Sequence, residues 1–308
     1  MLALSDIASF YPDHMKRYPR FMLREYLQHK ILEIVFRSRH SKGALFHGGS
    51  CLRIIHKSHR FSENLDFYLT GLEEHRSERN GIADEIKKEL RLQGFPVEMK
   101  RLKKGELICT IGFPELFFEK MAIDGLANDS WIQDNRACES NDSRKQIKRK
   151  HDNTKFRGHV EHIRIRFRED CASVDSDLSP RRDLLNRFDV FTTVLSISLP
   201  LQLSQKFAII LTQDQDQMQD QDQVQDQVRG RDFIDAIILM SFQVKPNYHY
   251  LESKLSISGP TELKNALLQS TLSLNMKDMI ADITPYLTDI TLADKVLAFE
   301  EIVENYFI

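Results

Sequence analysis

Apolar positions along the chain change their period part-way, and the change divides it into two parts. Over residues 19–40, Phe21, Leu23, Tyr26, Leu27, Ile31, Leu32, Ile34 and Val35 recur at mainly helical spacing and predict a long amphipathic helix. The short run ALF at 44–46 predicts a buried strand, SCLRIIHK a helix beginning at or just after Ser50, and NLDFYL a second strand. GIADEIKKELRLQG predicts a helix closed by its C-terminal glycine. VEMKRL and ELICTIGF flank Lys-Lys-Gly and predict a hairpin. HIRIRFR alternates strictly, with Ile163, Ile165 and Phe167 on one face and Arg164, Arg166 and Arg168 on the other. One further strand, DVFTTVLSISL, ends this part.

From Pro200 onward the pattern is helical, in PLQLSQKFAIIL, RGRDFIDAIILMSF, NYHYLESKLS, TELKNALLQSTL, MKDMIADITPYL and ADKVLAFEEIVENYF. The fold class is therefore mixed α/β (α+β) over residues 1–199, followed by a helical part over 200–308. Residues 127–157 are polar and irregular and predict a long surface insertion. The tract QDQDQMQDQDQVQDQ at 213–227 alternates every two residues with almost nothing apolar to bury, which predicts an exposed low-complexity loop between two helices.

Composition narrows the class without choosing a function. A chain of 308 residues, 41% hydrophobic and 29% charged, is long enough for one large domain or two smaller ones with real cores. No apolar run is long enough for a membrane span, and MLALSDIASFYPDHMKR lacks a secretory signal's basic start and apolar core. Cys51, Cys109, Cys138 and Cys171 are scattered without a CxxC pair and read as reduced thiols of a cytoplasmic protein. A net charge of −2 is uninformative, but RKQIKRKHDNTKFR at 144–157 is strongly basic. Such a run is a solvated loop or a contact for a phosphate backbone.

Candidate chemistry concentrates in FHGGSCLRIIHKSHRFSENLDFYL, residues 46–69. Holding a triphosphate favours glycine in a turn, where backbone N–H groups reach the phosphates, and Gly48, Gly49 and Ser50 supply such a turn. Metal ions bridging the phosphates need hard oxygen ligands, and two residues apart on a strand point the same way; Asn64 and Asp66 have that spacing. Arg60 and Ser62 add a cation and a hydroxyl beside the same strand. His56 and His59, three apart, lack a third ligand at zinc spacing, and with His47 they read as surface or phosphate-facing. A P-loop and a Gly-x-Ser-x-Gly elbow are both missing, which argues against P-loop NTPases and hydrolases of that type.

GGSCLRIIHKSHRFSENLDF resembles the first motif of the AbiEii/AbiGii-type nucleotidyltransferase toxins: Gly-Gly-Thr/Ser, a short helix, then Arg-Phe-Ser-Glu-Asp-Leu-Asp-Phe. RFMLREYLQHKILEIVF resembles the N-terminal helix of that family, LPLQLSQKFAIIL its lysine-bearing helix, and RGRDFIDAIILM its Arg-Asp-x-x-Asp helix. The resemblance implies a minimal polymerase-β-like nucleotidyltransferase core with a mixed sheet and a helical C-terminal part. It implies a toxin beside a DNA-binding antitoxin, using NTP with Mg²⁺ or Mn²⁺ to modify an acceptor, in several relatives the 3′ end of tRNA. Gly48, Gly49 and Ser50, with Arg60 and Ser62, would bind the nucleotide, and Asn64 and Asp66 would be the metal pair. Lys206 would contact the triphosphate, with Asp232 and Asp235 completing the catalytic set. Helical spacing independently sets Lys206 off the Leu203, Phe207 and Ile210 stripe and puts Asp232 and Asp235 on one face.

Two positions depart from that pattern. Asn64 stands where the family has an aspartate, and an amide oxygen brings no charge to a metal. The strand that aligns with the family's third acid is HIRIRFR, whose polar face offers Arg164, Arg166 and Arg168, while Glu161 and Glu169 fall on the other parity. Three explanations of Asn64 stand at this level: a relative that keeps binding but has lost catalysis, an enzyme working with fewer carboxylates while Arg164, Arg166 and Arg168 grip phosphate or an RNA acceptor, or an introduced change. The rival to transfer is a binding protein that uses the basic 144–168 region for nucleic acid or a partner. Transfer to protein rather than RNA is a third reading.

Overall fold

Seven strands form one mixed sheet in the order β3-β4-β5-β2-β1-β7-β6. They are β1 (Ala44–His47), β2 (Leu65–Leu69), β3 (Glu98–Lys104), β4 (Glu106–Pro114), β5 (Val160–Arg168), β6 (Arg181–Arg187) and β7 (Val190–Ser196). The computed structural model describes residues 1–70, 80–104, 106–114, 160–168, 180–212, 230–272 and 274–307. The insertion expected at 127–157, the Gln/Asp tract, Cys138, Cys171 and Glu169 lie outside the described residues. β2 runs parallel to β5 and β1 parallel to β7, and the remaining neighbours pair antiparallel.

Alternation in the strands gives the sheet one apolar face. Leu65 and Phe67 of β2, Cys109, Ile111 and Phe113 of β4, and Ile163, Ile165 and Phe167 of β5 are all buried in one core. Phe46, Phe67 and Phe167 stack across three strands, with ring centroids 5.4 and 4.9 Å apart. Helices α2 (Pro19–Arg37) and α4 (Asn80–Leu92) cover this face, with the short α1 (Leu4–Ser9) against α2.

The expectation of an amphipathic first long helix is corrected: α2 is buried on all sides from Met22 to Val35. Its charged residues lie in the interior because each finds a partner there. Arg20 and Arg24 both bind Glu161, Arg24 also reaches Glu63 at 2.9 Å, and Glu25 binds Arg53 at 2.7 Å. Lys30 lies between Glu33 and Asp189. Burying such groups is tolerable only when they are paired and hydrogen-bonded. Glu161 is thereby spent on the helix side of the sheet.

Strand β6 escaped the hydrophobic pattern. It is an edge strand in which only Leu185 is buried, so alternation has almost nothing to register. The turn to β7 is also disguised, because Phe188 takes a positive φ of 59° where a tight hairpin turn normally uses Asn or Gly.

The other face of the sheet meets the C-terminal helices: α5 (Leu199–Leu211), α6 (Gly230–Ser241), α7 (Tyr248–Leu255), α8 (Pro260–Thr271), α9 (Met276–Ile283), α10 (Leu292–Leu297) and α11 (Phe299–Tyr306). The expected last helix is thus two, parted at Ala298. Leu45, Tyr68, Ile197 and Leu201 join the sheet to α5. Leu52, from α3 (Gly48–Ile54), is buried in the helical core with Phe207, Phe233 and Phe299. Backbone bonds from Phe61 to Tyr286 and from Thr288 to His59 tie the segment before β2 to the helical half.

Candidate active site

The double glycine is dictated by its neighbours. α3 begins at Gly48, two residues earlier than expected. Gly48 has φ +78°, and a Cβ there would lie 3.3 Å from Asp66 Oδ2. A Cβ on Gly49 would lie 2.0 Å from Arg60 Nη2, closer than a side chain can come, and a tight 3.1 Å from Ser62 Oγ. Ser50 is buried, and its hydroxyl donates to the backbone carbonyl of Asn64, locking α3 to the entrance of β2. That hydroxyl is engaged inside the fold.

Asp66 is an acid on the face of the sheet that meets the C-terminal helices. It pairs in register with His47 of β1 and with Arg166 of β5. Arg166 Nε donates to Asp66 Oδ1 at 2.5 Å. The strand that should carry a third acid therefore lies directly beside β2 and presents a guanidinium at that place. Arg168 pairs with Tyr68 one step along, and Arg164 is exposed on the same parity. Burial alone would raise the Asp66 carboxyl, but Arg166, His47 and Arg168 outweigh it and hold it below the usual carboxylate value. Asn64 lies one residue ahead of β2.

His47 is a correction to the expectation of a surface histidine. It is buried and stacked on Tyr68, with ring centroids 4.1 Å apart and 15° between planes. Burial, assisted by Arg168, Arg166 and Lys206 against the pull of Asp66, drives its pKa to about 3, so the ring is neutral at ordinary pH. Its Nε2 is buried without a hydrogen-bond partner among the described residues.

The helical half brings a second charged group. Lys206 of α5 lies 2.7 Å from Asp232 and 2.8 Å from Asp235, both on α6. The shared face read from the three-residue spacing is thus the face that meets α5. Asp235 is 0% exposed and also takes Arg60 in a two-pronged pair, at 2.7 and 2.6 Å. Arg60 is itself 2% exposed. Arg60, expected to bind the nucleotide, and Asp235, expected in the catalytic set, pair with each other as a clamp between the segment before β2 and α6. Burial would raise the Asp235 carboxyl, but Arg60 and Lys206 hold it near 2. Lys206 would lose its proton more readily on burial alone, but Asp232 and Asp235 keep it charged.

Tyr68 and Gln205 were missed by the sequence reading. Gln205 Nε2 donates to the Tyr68 hydroxyl at 3.1 Å, so this pair links α5 to the Asp66 face. Strand parity with Asp66 was the signal that could have found Tyr68.

The donor set does not fit a two-ion metal centre. Among the described residues no group of three or more His, Cys, Asp or Glu is placed to share an ion. One carboxylate, already bonded to a guanidinium, and one neutral amide supply too little charge for two divalent cations.

Comparison with known proteins gives a family. The family model described as Nucleotidyl transferase AbiEii toxin, Type IV TA system, matches residues 30–305. Among solved structures, the fold is similar to that of JHP933 from Helicobacter pylori, with a TM-score of 0.50 and 11% identity over 93% of this chain and 91% of that one. A second H. pylori structure, solved under a provisional nucleotidyltransferase description, aligns at a TM-score of 0.47 and 12% identity over 93% and 94% of the two chains. No curated protein matches the chain.

Proposed function

Because the chain belongs to the AbiEii nucleotidyl transferase toxin family, we propose that it transfers a nucleotidyl group from a nucleoside triphosphate to a hydroxyl of an RNA acceptor, the 3′ end of tRNA. The oxygen of that hydroxyl bonds to the α-phosphorus, the α–β bridging bond breaks, and pyrophosphate leaves as the hydroxyl proton is released. The single observation carrying this reading is the convergence of the Gly48–Gly49 turn, Asp66 and Lys206 on the face of the sheet that meets the C-terminal helices. The nucleotidyltransferase family in general implies an NTP and a divalent metal, and the type IV toxin–antitoxin assignment implies an antitoxin partner.

In this reading Asp66 faces the reacting phosphate, and Gly48 and Gly49 let the backbone approach it. Lys206, fixed by Asp232 and Asp235, offers positive charge to the departing phosphates. Arg164 and Arg168, on the polar face of β5, would meet the acceptor's phosphate backbone. No helix among the described residues is long and apolar enough to cross a membrane.

A second reading, nucleotide binding without transfer, is favoured by Arg166 on Asp66 together with Asn64. Incubation with α-³²P-labelled NTPs, Mg²⁺ and total tRNA separates the two. Labelled RNA that disappears in Asp66→Ala supports transfer. Label on protein instead moves the acceptor from RNA to protein. No label on either, with NTP still bound, establishes the second reading.

A further inference from the structure

Three guanidiniums, Arg164, Arg166 and Arg168, share a strand face with one carboxylate, Asp66, and that carboxylate is matched in register to Arg166. A divalent-metal site has the opposite balance: several carboxylates attract the ion, and the ion then attracts phosphate. Here a cation entering beside Asp66 would meet a guanidinium bonded to the one carboxylate that β2 and β5 offer on this face among the described residues, with Asp232 and Asp235 already held by Lys206, whereas a phosphate would meet planar donors suited to it. His47, buried and in register with Asp66, brings no negative charge, because an imidazole is at most a neutral donor or acceptor or a cation. Asn64, ahead of the same strand, adds none either.

We propose that this face binds the phosphate chain of its nucleotide without a divalent ion, Arg166 exchanging Asp66 for phosphate and supplying the positive charge that metal ions would otherwise bring. The inference rests on the reading above only in taking a nucleotide as ligand. The exchange makes and breaks no covalent bond: Arg166 gives up one anionic acceptor and gains another, while Arg168, which already acts on Asp66, stays beside that carboxylate as the phosphate arrives. The same exchange explains how the pair could persist in the resting protein, since an unpaired guanidinium or carboxylate in this half-buried position would be costly.

Calorimetric titration of the full chain with inorganic tripolyphosphate, and with each NTP, in EDTA and in Mg²⁺ tests it. The expected result is affinity in EDTA within about threefold of that in Mg²⁺, where a metal-built site would lose about tenfold or more. Arg166→Gln is expected to weaken tripolyphosphate by about tenfold or more, and Arg166→Lys, which keeps the charge, by less. Thermal melts of both variants separate lost contact from lost fold. The double variant Asn64→Asp with Arg166→Asp should become dependent on Mg²⁺ for binding. Loss of wild-type binding in EDTA would overturn the proposal. So would an Arg166→Gln chain that melts normally and binds as tightly as wild type, or a short single-stranded RNA that binds where tripolyphosphate does not. Binding that survives EDTA without any nucleotidyl transfer would sink the transfer reading alone; transfer with binding abolished by EDTA would sink this one alone.

Discussion

Replacing Asp235 with alanine should destabilise the chain more than any other single change near the site. Asp235 is 0% exposed and accepts from Arg60 at 2.7 and 2.6 Å and from Lys206 at 2.8 Å. In the variant Lys206 keeps Asp232 at 2.7 Å, but Arg60 is left buried with a hydrogen bond to the Phe61 carbonyl at 3.0 Å and no carboxylate bonded to it among the described residues, Asp232 and Glu63 acting on it from further off. Removing one partner of a buried pair costs about 3–5 kcal/mol, since the surviving charge is uncompensated. A second estimate comes from the carboxyl itself. Its pKa near 2 in the fold, against about 3.9 for a free aspartate, corresponds to about 2–3 kcal/mol at neutral pH. The two routes agree within a factor of about two. An unfolding entropy of about 2.1 cal/mol/K per residue, taken over the whole chain, converts 3–5 kcal/mol to a fall of about 5–8 °C in Tm. Because the folded pKa is depressed, the contribution is present above about pH 4 and is lost as pH falls through about 2, so the gap between wild type and variant should narrow in acid. Calorimetry and urea titration of wild type, Asp235→Ala, Arg60→Met and the double variant Arg60→Met with Asp235→Leu measure all of this. The double variant should recover much of the loss, because no charge is stranded. A loss under about 1 kcal/mol, or a double variant no better than the single one, would refute the clamp.

Acid should also destabilise the chain through His29, which is fully buried with Nδ1 on the Glu25 carbonyl at 2.6 Å and a pKa pushed down to about 4 by burial. The unfolded chain takes up this proton near pH 6.5, so stability is full above that value and falls towards pH 4, losing about 2 kcal/mol by pH 5; urea titrations of His29→Gln should show a flatter pH profile. Gly49→Ala places a Cβ 2.0 Å from Arg60 Nη2, and forcing the guanidinium aside should cost about 1–3 kcal/mol in chemical denaturation. Glu161→Gln leaves Arg20 and Arg24 facing a neutral amide; a Tm unchanged from wild type would show that this buried cluster contributes no net stability.

Much of this architecture was legible because strand parity and helix periodicity leave few alternatives. HIRIRFR could only place its arginines opposite its isoleucines, and β5 does so beside β2. The same logic failed where burial is not one-sided. α2 reads as amphipathic when only its apolar residues are counted, and its buried arginines, glutamates and lysine are explained only by partners at distant positions such as Glu161 and Asp189. β6 carries one buried residue and so leaves almost no period to read. At the site, the motif singled out Gly48, Gly49, Asp66 and Lys206 as candidates. It could not show that Arg60 faces Asp235, a partner 175 residues away, or that Gly49 is small to make room for that arginine. His47 and Tyr68 stack through β1–β2 pairing, which becomes visible only once the strands are in register.

Transfer, if it occurs, takes place where Asp66 meets the nucleoside triphosphate. Pyrophosphate release from NTP in the presence of tRNA tests it most directly, comparing wild type with Asp66→Asn, which removes the charge while keeping the shape. The wild-type chain should release pyrophosphate, and Asp66→Asn should lose about 100-fold or more at unchanged Tm. Release that is the same in both chains, or absent from wild type with every NTP, would contradict it.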